Sequence, residues 1–226
     1  ASLSLLKLVK NLPGGVAQGL IWGLMALGVY ITFRLLDVAD LTVDGSFTTG
    51  GAVTVMLILA GVPAWAALLV AVIAGMLAGL CTGLLHTKLG IPAILAGILT
   101  QFSLYSINLR IMGMAANKAV SVDKFSLVLS SRSISSAILT GALIALALVA
   151  LFYWYFGTEQ GSAIRATGSN PNMSAAQGIN VNRMKVLGLA LSNGIVALSG
   201  GLFNDTVDVV VGDVVGLGLC DTVAKL

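Results

Sequence analysis

The chain has 226 residues, of which 58% are hydrophobic and only 9% are charged, and its formal net charge is +3. Because a soluble domain carries about 25% charged residues, this composition excludes an ordinary soluble protein and predicts an all-α, polytopic membrane protein. The basic residues lie at the edges of apolar runs and in loops, which is typical of membrane topology and argues against a nucleic-acid partner.

The first predicted elements are a short interfacial helix over residues 2–10 and a membrane span over residues 15–36. Apolar and basic residues alternate at helical spacing in the first stretch, as in helices that lie on the bilayer surface. The second stretch is long and apolar enough to cross the bilayer, which requires about 20 residues.

A polar stretch interrupts the apolar pattern at residues 37–62. It carries three carboxylates, several hydroxyl groups and a glycine pair, and its apolar part is too short for an unbroken span. We predict a broken or re-entrant element, because non-helical backbone at membrane depth is tolerated only where it faces protein or a water-filled cavity. Arg34 and Asp37 are expected to form an ion pair. Asp44 is expected either to line a solute path or to cap the half-helix at Ser46.

The remaining apolar runs predict four further spans, at residues 64–85, 92–112, 134–156 and 186–203. Polar segments separate these spans, with a basic turn at 86–90 and loops at 113–133 and 157–185. The tail at 204–226 is apolar but interrupted by aspartates, and its pattern predicts no definite element. We treat residues 1–226 as a single transmembrane domain with an atypical tail.

Two ridges of glycines recur at every fourth residue, which predicts close packing between helices rather than ligand sites. The first span carries Gly15, Gly19 and Gly23, and the following span carries Gly75, Gly79 and Gly83.

Polar side chains within or beside the apolar runs are the candidates for a solute path, since such residues either line pathways or hydrogen-bond between helices. Both readings stay open. The candidates are Asp44, Ser46, Phe47, Thr48, Thr49, Gln101, Asn108 and Asn193.

The loop at 157–185 is the longest hydrophilic stretch, and it carries the signals of a short helix. Asn170 suits the N-cap, Pro171 the first helical position and Gly178 the left-handed position after the end. The predicted helix covers about residues 171–177, with small residues on most of its surface. Because isolated helices of two turns are marginal in water, this helix needs a surface to dock against.

If the loop at 157–185 is cytoplasmic, the side of the membrane on which the N-terminus lies depends on whether the stretch at 37–62 crosses the bilayer. A re-entrant element would keep Lys7 and Lys10 on the cytoplasmic side, whereas a full crossing would place them outside. We favour the re-entrant arrangement, although the basic residues of the loop at 113–133 count against both.

No motif for catalysis or nucleotide hydrolysis is present in the sequence. It lacks GxxxxGK[ST], HExxH and GxSxG, so we expect no enzyme, and no cofactor or metal bound by this chain. His86 is expected to be an interfacial side chain, and Cys81 and Cys220 are expected to be small packing residues.

Two stretches carry a family resemblance. Residues 161–202 begin G-x3-R-A-x-G-x-N and continue with G-I-N, and residues 35–53 read LLDVADLTVDGSFTTGGAV. Together they resemble the permease subunits of ABC importers of the branched-chain amino acid type, and within that family the tryptophan/tyrosine permeases. The likeness covers most of residues 14–203, and the tail departs from the family, whose members continue with further spans.

The resemblance implies that the short helix is a cytoplasmic coupling helix, which sits in a groove of a separate ATPase subunit that binds ATP and Mg. It also implies a second permease copy or a paralogue, an extracellular solute-binding protein, the bacterial cell membrane as the location, and import of an amino acid or similar small polar solute by alternating access. The residues implied at the ATPase contact are Arg165, Gly168, Asn170, Pro171, Ala175, Gly178, Ile179 and Asn180.

An ion- or proton-coupled secondary transporter is the alternative class. It should repeat the broken segment in inverted form in the second half of the chain, and no second copy of VDGSFTTGG occurs. A non-transporting scaffold is a third reading, which would leave the polar segment without a role.

Overall fold

The computed structural model describes residues 2–114 and 134–206, and every regular element in these ranges is helical. In chain order the elements are α1 (Ser2–Tyr30), a π-helical turn (Ile31–Leu35), α2 (Val43–Leu59), α3 (Ala64–Lys88), α4 (Ala93–Ile111), α5 (Ile134–Phe156), α6 (Glu159–Ser169), α7 (Pro171–Ala176) and α8 (Val181–Thr206). Five helices of the described part are long and apolar enough to cross a membrane, namely α1 together with the π-helical turn, α3, α4, α5 and α8. The predicted all-α polytopic fold is confirmed.

Helix α8 lies at the centre of the described helices. Of its most apolar window 72% is buried, compared with 6% for α5, which is mostly open to the surroundings. Three small residues of α3 allow α8 to approach closely. A Cβ on Gly75 or Gly79 would collide with α8 atoms, and one on Gly83 would lie 2.9 Å from Cα of Val186.

The contacts of α8 give the directions of its neighbours. Helix α1 runs antiparallel to α8, because Ser192 Oγ donates to the carbonyl oxygen of Gly28 at 2.6 Å and Ser199 Oγ donates to that of Ile21 at 2.7 Å. Helix α2 runs parallel to α8, since its start meets Asn193 and Gly50 meets Ala197 one turn further along.

The stretch at 37–62 therefore crosses from one end of the bundle to the other, and the favoured re-entrant arrangement is wrong. The end of α1 lies beside α6 and the start of α8, whereas the end of α2 leads into α3 at the opposite end. Because α1 is antiparallel to α8, the N-terminal end of α1 lies at the end of the bundle away from α7.

The break itself is short. Residues 36–42 alone separate the π-helical turn from α2, and the polar run that follows is the first half of α2 rather than a loop. Thr48 and Thr49 are satisfied inside the helix, because their hydroxyl groups donate to the carbonyl oxygen of Gly45 at 2.9 and 2.7 Å. Asp37, with a φ of 52°, ends the π-helical turn in the left-handed region that Asp tolerates.

Three expectations for side chains and for the first element are corrected, and a fourth stays a prediction. Residues 2–10 belong to the continuous helix α1 instead of a separate helix. A Cβ on Gly15, Gly19 or Gly23 would meet no described atom within 4 Å, so this ridge is open in the single chain and its packing against another helix stays a prediction. Arg34 and Asp37 are both exposed and form no ion pair with each other. Cys81 is exposed on α3 rather than packed.

The hydrophilic loop at 157–185 contains two helices where one was predicted. The second, α7, covers Pro171–Ala176, in agreement with the prediction, and the first, α6, was read as loop. The loop at 113–133 beyond Met114, most of the tail at 204–226 and Cys220 lie outside the described residues.

Candidate functional site

The ends of α7 are fixed by the residues that the sequence singled out. The Asn170 side chain accepts a hydrogen bond from the backbone N–H of Met173 at 3.1 Å, and Pro171 occupies the first helical position. Gly178 has a φ of 83°, and its N–H donates to the carbonyl oxygen of Ala175 at 3.0 Å. These residues therefore shape the helix and its ends.

The surface of α7 is almost entirely open. Ser174 is buried, and its hydroxyl group donates to the backbone of Asn170, whereas every other residue of the helix is exposed. Met173, 59% exposed, is a large apolar side chain on this open surface, with Ala175 and Ala176 beside it. A capped helix with small and apolar side chains facing outward is suited to a groove in a partner.

Helix α6 connects α7 to the membrane helices. Ile164 of α6 is fully buried and packs with Ile31, Leu36 and Leu189 in one apolar cluster. A Cβ on Gly168 would collide with the carbonyl oxygen of Leu35, so α6 lies directly on the end of the π-helical turn. Gly168 therefore makes its close contact within this chain.

Two other residues of the predicted ATPase contact have internal partners. Arg165 donates from Nη2 to the carbonyl oxygen of Phe156 at 3.0 Å, which holds α6 to the end of α5. The Oδ1 atom of Asn180 accepts from the N–H of Arg183 at 3.2 Å, as an N-cap of α8 does. Ile179 is half-buried, and its N–H donates to the carbonyl oxygen of Ser174.

Within the bundle, Asp40, Ser46 and Asn193 form a buried polar cluster, which we call the core polar cluster. The Nδ2 group of Asn193 donates to Asp40 Oδ2 at 2.7 Å and to the carbonyl oxygen of Leu189 at 2.9 Å. Ser46 Oγ donates to Asn193 Oδ1, and Asp40 Oδ1 accepts from the N–H of Thr42 at 2.9 Å. The cluster joins the break, the start of α2 and the middle of α8.

Asp40 was not singled out from the sequence, which pointed to Asp44 as the carboxylate of interest. In the structure Asp40 is 2% exposed, whereas Asp44 is an exposed residue of the first turn of α2. The sequence contains one signal that could have identified Asp40, namely its position two residues before a Thr at a helix start. An Asp side chain often accepts a hydrogen bond from the backbone N–H two residues further along. Asp40 therefore fixes the backbone of Thr42, the N-cap residue of α2, whereas Asp44 lies within the helix.

A second polar contact joins α4 to α2. The Nδ2 group of Asn108 donates to Thr48 Oγ1 at 3.2 Å, and the Oδ1 atom of Asn108 is buried without a hydrogen-bond partner in the described residues. The backbone of Gln101, two turns before Asn108 on the same face of α4, also lies close to α2, since a Cβ on Gly45 would lie 3.2 Å from Cα of Gln101.

The solute-path candidates thus separate into different environments. Ser46 and Asn193 are together in the core polar cluster, and Phe47 stacks on Trp22 with ring centroids 5.8 Å apart. A groove of about 560 Å³ runs along α1 beside this ring pair, lined by Trp22, Met25, Ala26, Val29, Tyr30, Phe33 and Arg34. The buried candidates do not line this groove, and their role in a solute path stays a prediction.

Comparison with known proteins places the chain in a family. The family model described as the permease component of branched-chain amino acid transport systems matches residues 11–220, which is nearly the whole chain. No solved structure matches the chain.

Two curated relatives agree with this match. A protein of Clostridioides difficile (strain R20291) named tyrosine transport system permease protein is 40% identical over 188 residues, which are 83% of this chain and 62% of the relative. An uncharacterized protein of Rickettsia prowazekii (strain Madrid E) is 34% identical over 185 residues, which are 82% of this chain and 64% of the relative. The chain thus spans less than two thirds of the length of either relative.

Proposed function

The chain belongs to the family of permease components of branched-chain amino acid transport systems, and we propose that it is the membrane subunit of an ATP-driven importer in a bacterial cell membrane. The observation that carries this proposal is α7, a capped and exposed helix at the end of the bundle where α1 ends and α8 begins. A permease driven by a separate ATPase needs a surface that contacts this ATPase, and a capped, exposed helix can provide it, which supports this class over a secondary transporter.

The proposed partner on the α7 side is an ABC ATPase subunit, which binds ATP and Mg. The open side of α7, with Met173, Ala175 and Ala176, lies in a groove of this subunit. Asn170, Pro171 and Gly178 set the shape of the helix, and Arg165 and Gly168 hold α6 to the membrane helices. The coupling residues thus divide into a contact surface and its support.

The proposed cycle is alternating access. ATP binding closes the ATPase subunits and moves α7, and α6 passes this movement to the π-helical turn through the contact of Gly168 with Leu35. A second permease copy or a paralogue completes the path, and a solute-binding protein delivers the solute on the opposite side. The solute is an amino acid, and an aromatic one is favoured because the relative from Clostridioides difficile is named for tyrosine transport.

The test is a charge placed on the proposed contact surface. In the complex reconstituted with its ATPase and binding protein, Met173→Asp should lower the stimulation of ATP hydrolysis by the loaded binding protein about tenfold, because an unpaired carboxylate would be desolvated in the groove. The control is Gln160→Asp, which adds the same charge to an exposed position of α6.

Stimulation should be unchanged in the control. Equal stimulation in wild-type protein and Met173→Asp would show that α7 does not contact the ATPase through this side.

A further inference from the structure

Asp40 occupies a position that only a hydrogen-bond acceptor can fill. Its two carboxylate oxygens accept from the N–H of Thr42 and from Nδ2 of Asn193, at 2.9 and 2.7 Å. Among the described residues no cation pairs with Asp40, which is 2% exposed. The carboxylate is instead stabilised by these donors and by the N-terminal end of α2, where the helix dipole favours negative charge.

The orientation of Asn193 is fixed by its other partners. Its Nδ2 group also donates to the carbonyl oxygen of Leu189, and its Oδ1 atom accepts from Ser46 Oγ. Turning the amide over would place Oδ1 against that carbonyl oxygen, where two acceptors repel. An amide at position 40 has only one acceptor oxygen, so it would bring its own Nδ2 group against either the Nδ2 group of Asn193 or the N–H of Thr42.

The break is held to α8 at two points along the chain. Leu36 packs against Gly188, where a Cβ would collide with the leucine side chain, and Asp40 bonds to Asn193 five residues further along α8. Gly168 of α6 lies on the backbone of Leu35 and Leu36, just before the first of these points. A movement of α6 would therefore act on the first residues of the break, whose last residues are bound to α8 through Asp40.

We propose that Asp40 is a positioning residue for transport, which keeps the start of α2 fixed to α8 through Asn193 so that a movement of α6 displaces both helices together. This inference rests on the proposed function. Without the bond from Asp40, the break takes up part of the movement, and the start of α2, which Ser46 still binds to Asn193, follows α8 less closely. ATP hydrolysis then continues while less solute crosses.

The measurement is the amount of tyrosine taken up per ATP hydrolysed, in proteoliposomes that contain the complete complex with its ATPase and binding protein. Asp40→Asn should lower this ratio about tenfold, which corresponds to about 1.4 kcal/mol, while the rate of ATP hydrolysis stays within about twofold. The control, Asp37→Asn, makes the same change in the same segment at an exposed residue in the left-handed region, which Asn also tolerates. Its ratio should equal that of wild-type protein.

A merely structural role predicts a different result, because loss of folded complex lowers uptake and hydrolysis by the same factor. That result, or an unchanged ratio in Asp40→Asn, would overturn the inference. Should Asp40→Asn not assemble, Asp40→Ser decides, since the shorter hydroxyl side chain can still accept from the N–H of Thr42 but loses the bond to Asn193 Nδ2. Its ratio should also fall about tenfold, and an unchanged ratio would overturn the inference.

The two proposals fail in different ways. A wild-type complex that takes up no tyrosine or other aromatic amino acid with ATP contradicts the proposed function, and the inference about Asp40 falls with it. An active wild-type complex with an unchanged ratio in the variants contradicts the inference alone.

Discussion

At the scale of single residues, buried hydroxyl groups hold α3, α4 and the break before α2 together. Thr82 lies between two other threonines, with its Oγ1 atom 2.8 Å from Thr42 Oγ1 and 3.0 Å from Thr100 Oγ1. Thr42 and Thr82 are both almost completely buried. Removing the hydrogen-bond partner of such a buried hydroxyl group lowers the free energy of unfolding, because water cannot replace the lost hydrogen bond.

Replacing Thr82 by Val should therefore destabilise the protein more than the same change at Thr100. Thr82→Val leaves Thr42 Oγ1 buried without its side-chain partner and should lower the free energy of unfolding by about 1–3 kcal/mol. In Thr100→Val, Thr82 keeps its contact with Thr42 and its bond to the carbonyl oxygen of Ala78, so the loss should be about 0.5–1.5 kcal/mol. The midpoint of thermal unfolding in detergent measures both losses of stability. A larger decrease of this midpoint in Thr100→Val than in Thr82→Val would contradict the described hydrogen bonds between the three threonines.

Residues whose partners are close in the chain were predictable, and residues whose partners are distant were not. Asn170, Pro171 and Gly178 act within one turn of α7, so their caps follow from the local sequence. Asp40 depends on Asn193, which is 153 residues away, and only the parallel packing of α2 on α8 brings the two together. Its Asx-type bond to Thr42 was the one local signal.

At the scale of elements, two glycine ridges with the same spacing have different surroundings. Gly75, Gly79 and Gly83 face α8, whereas Gly15, Gly19 and Gly23 face no described atom within 4 Å. The pattern alone predicted close packing for both, because spacing shows that a face is smooth and does not show whether another helix lies on it.

Substituting alanine for one glycine of each ridge distinguishes the ridge that packs on α8 from the ridge that faces no described atom. Gly79→Ala should lower the free energy of unfolding by about 1–3 kcal/mol, because its Cβ would collide with the backbone of Leu189. Gly23→Ala, the matched control, should be neutral or stabilising, since alanine favours a helix over glycine by up to about 1 kcal/mol. Thermal unfolding of the detergent-solubilised protein measures the difference, and equal shifts would show that the α3–α8 contact is looser than described.

The helices themselves followed from the sequence more closely than their directions did. The spans of α3, α4 and α5 agree with the apolar runs to within a few residues. The direction of α2 depends on whether the stretch at residues 37–62 returns or crosses. Its apolar part is too short for an unbroken span, which favoured a re-entrant element over the crossing that the structure has. Hydroxyl groups of α2 donate to carbonyl oxygens of the same helix, so the polar sequence costs little.

At the scale of the whole molecule, α7 and the start of α1 lie at opposite ends of the bundle. Helix α7 and its support α6 are thus grouped with the end of α1, the break and the beginning of α8. The residues that would receive force from an ATPase lie at one end, and the core polar cluster lies between them and the other end. This arrangement suits a permease that is driven from the α7 side.

The most direct measurement of the central claim is uptake of labelled tyrosine into proteoliposomes with either ATP or an ion gradient as the only energy source. We predict accumulation when ATP is present on the α7 side together with the ATPase and the binding protein, and none when a proton or sodium gradient is applied to the permease alone. Accumulation driven by a gradient without the ATPase would contradict the account, because α7 would then have no partner to couple.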